Sequence, residues 1–177
     1  MDYMGLNQRE PDEDSMPIIV TVDSRSKAHT SHVLLQKGIE PYAVKTLVND
    51  CRELLGYGKF IFKTDQEPAI LALKHAIAKE LTTGRDMSTQ IIMEESPVGE
   101  SQSNGQIEAA VKSIQGMFRT IKCHMQAKLK QTIPEDHPVW TWLTMHVAML
   151  INRYQVGADG KTPRQRLRGR KFNKAVA

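Results

Sequence analysis

The sequence predicts an α/β protein, a mixed five-stranded sheet with helices on its faces, and three observations lead there. Runs rich in β-branched or aromatic residues recur at Ile18 to Asp23, Ala28 to Leu35, Lys59 to Asp65 and Thr89 to Met93. Between and after them apolar residues fall at steps of three and four, the period of a helix with one buried stripe. The early runs follow one another through short polar connections, whereas helices separate the later ones, an order that describes a mixed sheet.

Met1 to Leu6 is apolar around Asp2 and reads as the first strand. The polar stretch Asn7 to Pro17, with Glu10, Asp12, Glu13 and Asp14, is expected to be a solvated hairpin loop. Glu40 to Leu55 has helical spacing through Ala43, Val44, Leu47, Val48, Cys51, Leu54 and Leu55, and Gly56 and Gly58 end it. The strand from Lys59 stops on the acid Asp65, and Gln66-Glu67-Pro68 opens a helix with Pro in its first turn. Ala69, Ile70, Leu73, Ala76, Ile77 and Leu81 form that helix's buried face, and Thr82 to Ser88 turns into the fifth strand. A long helix runs to about Gln131, Ile133 to His137 breaks it, and Val139 to Tyr154 forms the next, with Trp140, Leu143, Val147, Leu150 and Ile151 inward and Trp142 at the rim. Thr162 and Pro163 cap and start a last short helix.

At 177 residues, 40% hydrophobic and 25% charged, the chain suits one globular domain. No apolar run is long enough for a membrane span, and no signal peptide is indicated, so an intracellular protein is expected. Cys51 and Cys123 are expected on apolar helix faces, without a disulfide. The six histidines show no ligand spacing and are read as ordinary core or surface residues. The net charge of +4 is unevenly spread, because thirteen Lys and Arg follow Glu108 against only Glu135, Asp136 and Asp159. Such asymmetry favours a polyanion partner, with acids confined to a separate site.

The stretch Ser96 to Glu108, Ser-Pro-Val-Gly-Glu-Ser-Gln-Ser-Asn-Gly-Gln-Ile-Glu, reads as a Gly- and Pro-punctuated loop delivering Glu108 into the first turn of the long helix. Ile107, Ala110, Val111, Ile114, Met117, Phe118 and Ile121 carry the buried stripe, with Glu108 at its margin. Lys112, Gln115 and Arg119 continue the polar face beneath Glu108. If the first strand neighbours the Phe60 strand, Asp2 and Asp65 stand on adjacent strands, roughly 4.8 Å apart.

Together these pieces resemble the catalytic cores of retroviral and retrotransposon integrases, related to the DDE transposases on a ribonuclease-H-like fold. The resemblance rests on Asp2-Tyr3-Met4, Val20 to Lys27, Lys63-Thr64-Asp65-Gln66-Glu67, Ser96-Pro97 through Glu108, Ile151 to Tyr154 and Asp159 to Arg170, in that order. It implies an integrase core over residues 1–155, with a shortened first strand, and a basic extension over 156–177. The flanking zinc-binding and C-terminal domains usual in such enzymes are not expected within these residues. It further implies an acidic triad of Asp2, Asp65 and Glu108, the last two 43 positions apart.

Three carboxylates suit Mg²⁺ or Mn²⁺, hard cations that take oxygen ligands and keep positions open for water and phosphate oxygens. Two such ions about 3.5 to 4 Å apart serve an in-line phosphoryl displacement. The implied reactions are DNA 3′-end processing and strand transfer. Lys112, Gln115, Arg119, Asn104 and Gly105 are the implied DNA contacts. Implied partners are element ends and target DNA and a second or further copy of the chain, with no membrane. The implied location is the nucleus or a retrotransposon particle. Two other functions compete: a transposon-derived DNA-binding relic without turnover, and a ribonuclease-H-like nuclease. Asp23, ending a better strand, competes with Asp2 for the place of first acid.

Overall fold

The computed structural model describes residues 1–5, 16–83, 89–95 and 101–173, the first four of the last stretch by their backbone alone. The predicted hairpin loop around Glu10 to Asp14 and the residues Ser96 to Glu100 lie outside the described residues. Among the described residues, five strands and five α-helices follow in the order β1 (Asp2–Met4), β2 (Ile18–Val22), β3 (His29–Val33), α1 (Pro41–Asn49), β4 (Lys59–Thr64), α2 (Pro68–Thr83), β5 (Gln90–Glu95), α3 (Ser101–Leu129), α4 (Val139–Tyr154) and α5 (Pro163–Arg168). This is the expected alternation, yet the strands hydrogen-bond as two sheets, β1-β2-β3 and β4-β5, instead of one five-stranded sheet. With three residues, β1 offers little backbone to a second neighbour. Just before it, the Met1 nitrogen donates to the Lys63 carbonyl near the end of β4 at 3.1 Å.

The chain divides into two compact units, one of residues 1–19 and 33–105, the other of 20–32 and 106–177. In the first, β4 and β5 run parallel from Lys59↔Gln90 to Thr64↔Glu95. A parallel pair needs a crossover, and α2 supplies it. Ile70, Leu73, Ile77 and Leu81 of α2 pack with Ala43, Leu47 and Val48 of α1 and with Ile19 and Leu34, while Phe60, Phe62 and Ile91 lean on that cluster. Each such Leu or Ile gains about 1.5–3 kcal/mol by burial. Glu40 starts α1 by accepting from the Tyr42 and Ala43 N–H groups. The predicted helix to Leu55 is not uniform: α1 ends at Asn49 and a π-helical turn, Asp50–Leu55, carries the chain to Gly56 at φ 66. Cys51 sits in that turn, half-buried, and burial pushes its thiol up to about 12.

In the second unit, backbone and side-chain pairs 21/30 and 23/28 climb β2 while descending β3, so the two strands are antiparallel. Ala110, Ile114 and Phe118 of α3 and Trp140, Leu143, Val147 and Ile151 of α4 are buried, as their spacing predicts. Trp140 lies 5.9 Å from the Phe118 ring and donates Nε1–H to the Pro134 carbonyl at 2.7 Å, whereas Trp142 is 51% exposed. Cys123 corrects the expectation for the cysteines: it is exposed, because position 123 falls off the stripe through Phe118 and Ile121. Thr162 caps α5 by accepting from the Gln165 N–H at 3.2 Å, and Gly169 at φ 71 ends it.

Candidate metal and nucleic-acid site

Asp2 and Asp65 belong to the first unit, on β1 and just past the end of β4. The Asp2 carboxylate accepts the Tyr3 N–H at 2.7 Å. Burial raises its pKa above the usual carboxylate range, the Tyr3 bond opposes this, and the charges of Asp65 and Glu67 add to the rise. Asp65 Oδ1 accepts the Glu67 N–H at 3.2 Å, which fixes the turn leading into α2. The surrounding frame is built from Tyr3, whose hydroxyl accepts the Gly38 N–H at 2.9 Å, and Lys37, which lies over the Tyr3 ring and pairs with Glu67 at 2.8 Å. The sequence marks Glu67 only as part of a motif. Its pairing with Lys37 depends on a contact 30 residues apart that no local pattern displays.

Glu108 belongs to the second unit, and here the expectation needs correcting. Because α3 begins at Ser101, Glu108 stands about two turns inside it, not in its first turn, and Asn104 and Gly105 are helical, not loop. One Gly within a helix costs about 1 kcal/mol, which a 29-residue helix with a buried stripe outweighs. Glu108, Lys112 and Arg119 are exposed and Gln115 is half-buried, at positions i, i+4, i+7 and i+11 of one helix face. Asp23 has a turn to hold: its carboxylate accepts the Ser26 N–H at 2.8 Å and the Ser26 hydroxyl.

Among the described residues, no group of three or more His, Cys, Asp or Glu is set together to hold a metal ion. The donor chemistry of Asp2 and Asp65 nevertheless fits a hard divalent cation. Both offer carboxylate oxygens, and the like charges that raise the Asp2 pKa are what such a cation neutralises.

The protein has the fold of retroviral integrase catalytic cores, an α/β fold of the ribonuclease-H-like kind. The HTLV-2 integrase catalytic core domain in complex with magnesium superposes with a TM-score of 0.62 at 16% identity, over 94% of this chain and 92% of that one. The BIV integrase core gives 0.60 at 17% identity, over 94% and 90%. A chain of the simian T-cell lymphotropic virus intasome in complex with the PP2A regulatory subunit B56 gamma gives 0.65 at 16% identity. There the match covers 99% of this chain and 55% of that one. No family model matches the sequence, and no curated protein does. No described helix is long and apolar enough to cross a membrane.

Proposed function

We propose that the protein is an integrase-type core that processes DNA 3′ ends and transfers them to target DNA, with Asp2, Asp65 and Glu108 as its acidic triad. The observation that carries this reading is the fold likeness to integrase cores over 94% of the chain, with Asp2 and Asp65 at the β1 and β4 positions that the sequence motifs mark. Asp2 and Asp65 would hold Mg²⁺ or Mn²⁺ from β1 and β4, and Glu108 would complete the set from α3. Two bound ions supply activation of the attacking oxygen and stabilisation of the leaving one. Lys112 and Arg119 would neutralise phosphates along α3, Gln115 would hydrogen-bond to the backbone, and Asn104 and Gly105 would let the DNA end approach the start of the helix. The HTLV-2 core is described in dimeric and trimeric forms, and we extend to this chain a working assembly of more than one copy. The basic residues 156–177 extend the core, and DNA as substrate places its work in the nucleus or in a retrotransposon particle.

Disintegration, the reversal of strand transfer on a branched oligonucleotide, tests this reading. The chain is expected to give Mn²⁺-dependent product that Glu108→Gln abolishes. Equal DNA binding by both forms without product would replace the enzyme with a non-catalytic DNA-binding module. Cleavage of RNA:DNA hybrids without disintegration would make it a ribonuclease-H-like nuclease.

A further inference from the structure

One face of the β4–β5 pair is built into the first unit, where Phe60, Phe62 and Ile91 lean on the cluster that α1 and α2 supply. Strand side chains alternate, so Lys59, Ile61 and Lys63 of β4 share the opposite face with Gln90, Ile92 and Glu94 of β5. A parallel pair is ordinarily covered on both faces. Here the outer face is bare among the described residues, with Ile61 58% and Ile92 48% exposed.

The ladder sets these side chains opposite one another: Lys59 with Gln90, Ile61 with Ile92, and Lys63 with Glu94. Ile61 and Ile92 therefore form one apolar ridge in the middle of the face. Beside it Lys63 Nζ meets Glu94 Oε1 at 3.2 Å, and the two side chains remain 38% and 47% exposed. Both cations of the face belong to β4, and its acid belongs to β5. The charge order is thus fixed across the ridge, and it reads oppositely from the two sides.

We infer that this face is where two copies of the chain meet, sheet against sheet, about a two-fold axis that runs along the strands. That axis lays β4 of one copy over β5 of the other, pointing the same way. Lys63 then faces Glu94 of the second copy, Glu94 faces its Lys63, and the two Ile61–Ile92 ridges pack together. An axis across the strands would instead lay β4 on a reversed β4 and oppose Lys59 to Lys63, which like charges disfavour. Stacked sheets keep their strands within about 30° and lie about 10 Å apart, close enough for the isoleucines to interdigitate. A partner of one charge sign would suit one strand and repel the other, whereas a second copy brings both signs in the complementary order. Six-residue strands give a face roughly 20 Å long. That is small beside the roughly 800 Å² per partner of a stable interface, so the association is weak and concentration-dependent. The proposed function calls for more than one copy without assigning the surface that joins them. This inference rests on that reading for nothing beyond the second copy.

The test is sedimentation velocity of the full chain from micromolar to millimolar concentration, where a reversible dimer is expected. Ile61→Lys and Ile92→Lys, both at exposed positions, should each weaken it about tenfold or more. Lys63→Glu leaves two acids on the face, and Glu94→Lys leaves only cations among its charges. Each should weaken self-association severalfold, and mixing the two variants should restore wild-type affinity, because each then meets its complement. Such restoration also shows that both variants are folded. A wild type that stays monomeric, a dimer unchanged in all four variants, or a mixture no tighter than its components would overturn the inference. Disintegration by a wild type that stays monomeric would overturn it and leave the proposed catalysis standing. Restored association in the mixture, with no disintegration by the wild type, would overturn the proposed function and leave the inference in place.

Discussion

Asn152 of α4 hydrogen-bonds to both backbone groups of His29 on β3. Its Nδ2 donates to the His29 carbonyl at 2.7 Å and its Oδ1 accepts the His29 N–H at 2.8 Å. A side-chain amide thus does for one residue of β3 what a neighbouring strand would do. Because Asn152 is buried, each His29 group loses its partner without gaining water when the amide is removed.

Asn152→Leu is accordingly expected to cost about 1–3 kcal/mol, as two part-buried backbone groups lose their partner. Asn152→Asp keeps an acceptor for the N–H but sets a carboxylate oxygen against the His29 carbonyl. Its cost should shrink at acid pH, where a protonated carboxyl can donate. Urea unfolding at neutral and acid pH measures both, and a wild-type midpoint for Asn152→Leu would refute the account.

What could be read from sequence divides along physical lines. Strands β2 and β4 and the stripes of α2, α3 and α4 were legible because burial imposes a local period, and Ile114, Leu143 and Ile77 sit where that period puts them. Asp65 was legible because it stops a strand. The helical turns before Glu108 were not, since Ser, Asn and Gly next to a Pro-Val-Gly segment carry loop propensity that a long helix overrides. Nor were the π-helical turn after Asn49 or the division of five strands into two sheets. In the sequence Asn152 stands out only as part of a motif, because its partner lies 123 residues away.

The aspartate pair predicts a response to metal. Asp2 is raised by burial and by Asp65 and Glu67, so a cation binding there relieves repulsion present only in the folded chain. Mn²⁺ or Mg²⁺ is expected to raise the melting temperature progressively with its concentration, with about 2.7 kcal/mol of added stability at a hundredfold excess over Kd. Asp2→Asn and Asp65→Asn should each reduce that increment severalfold while melting normally in chelator. An undiminished increment in either variant, read by calorimetry, would place metal binding elsewhere.

Lys74 of α2 is fully buried, and its Nζ donates to the Glu94 carbonyl of β5 at 3.0 Å. Burial lowers its pKa below the usual lysine value, and Glu95 partly restores it. Between the lowered value and the unfolded one, the unfolded chain holds more protons, so the contribution of Lys74 to stability rises with pH there. Lys74→Met keeps the stem's packing and removes the buried charge. It is expected to be within about 1 kcal/mol of wild type at neutral pH and to lose the alkaline rise. Parallel stability curves for the two proteins from neutral to alkaline pH would contradict this.

Asp159 and Arg166 give the same sign at the acid end. Hydrogen bonds from the Arg166 guanidinium hold the Asp159 carboxyl down at about 2, well below its ordinary value. A depressed carboxylate stabilises the fold above its unfolded pKa and loses that contribution as pH falls through the folded one, here between about pH 4 and 2. NMR titration of Asp159 should show a midpoint near 2 that Arg166→Gln returns toward the ordinary range of about 4. The same substitution removes the bond to the Ser26 carbonyl. It is therefore expected to loosen the β2–β3 turn, seen as faster amide exchange at Ser26 and Lys27, while Asp159→Asn leaves that bond and that protection in place. Unchanged exchange in Arg166→Gln would remove Arg166 from the turn's support and leave it only the pairing with Asp159.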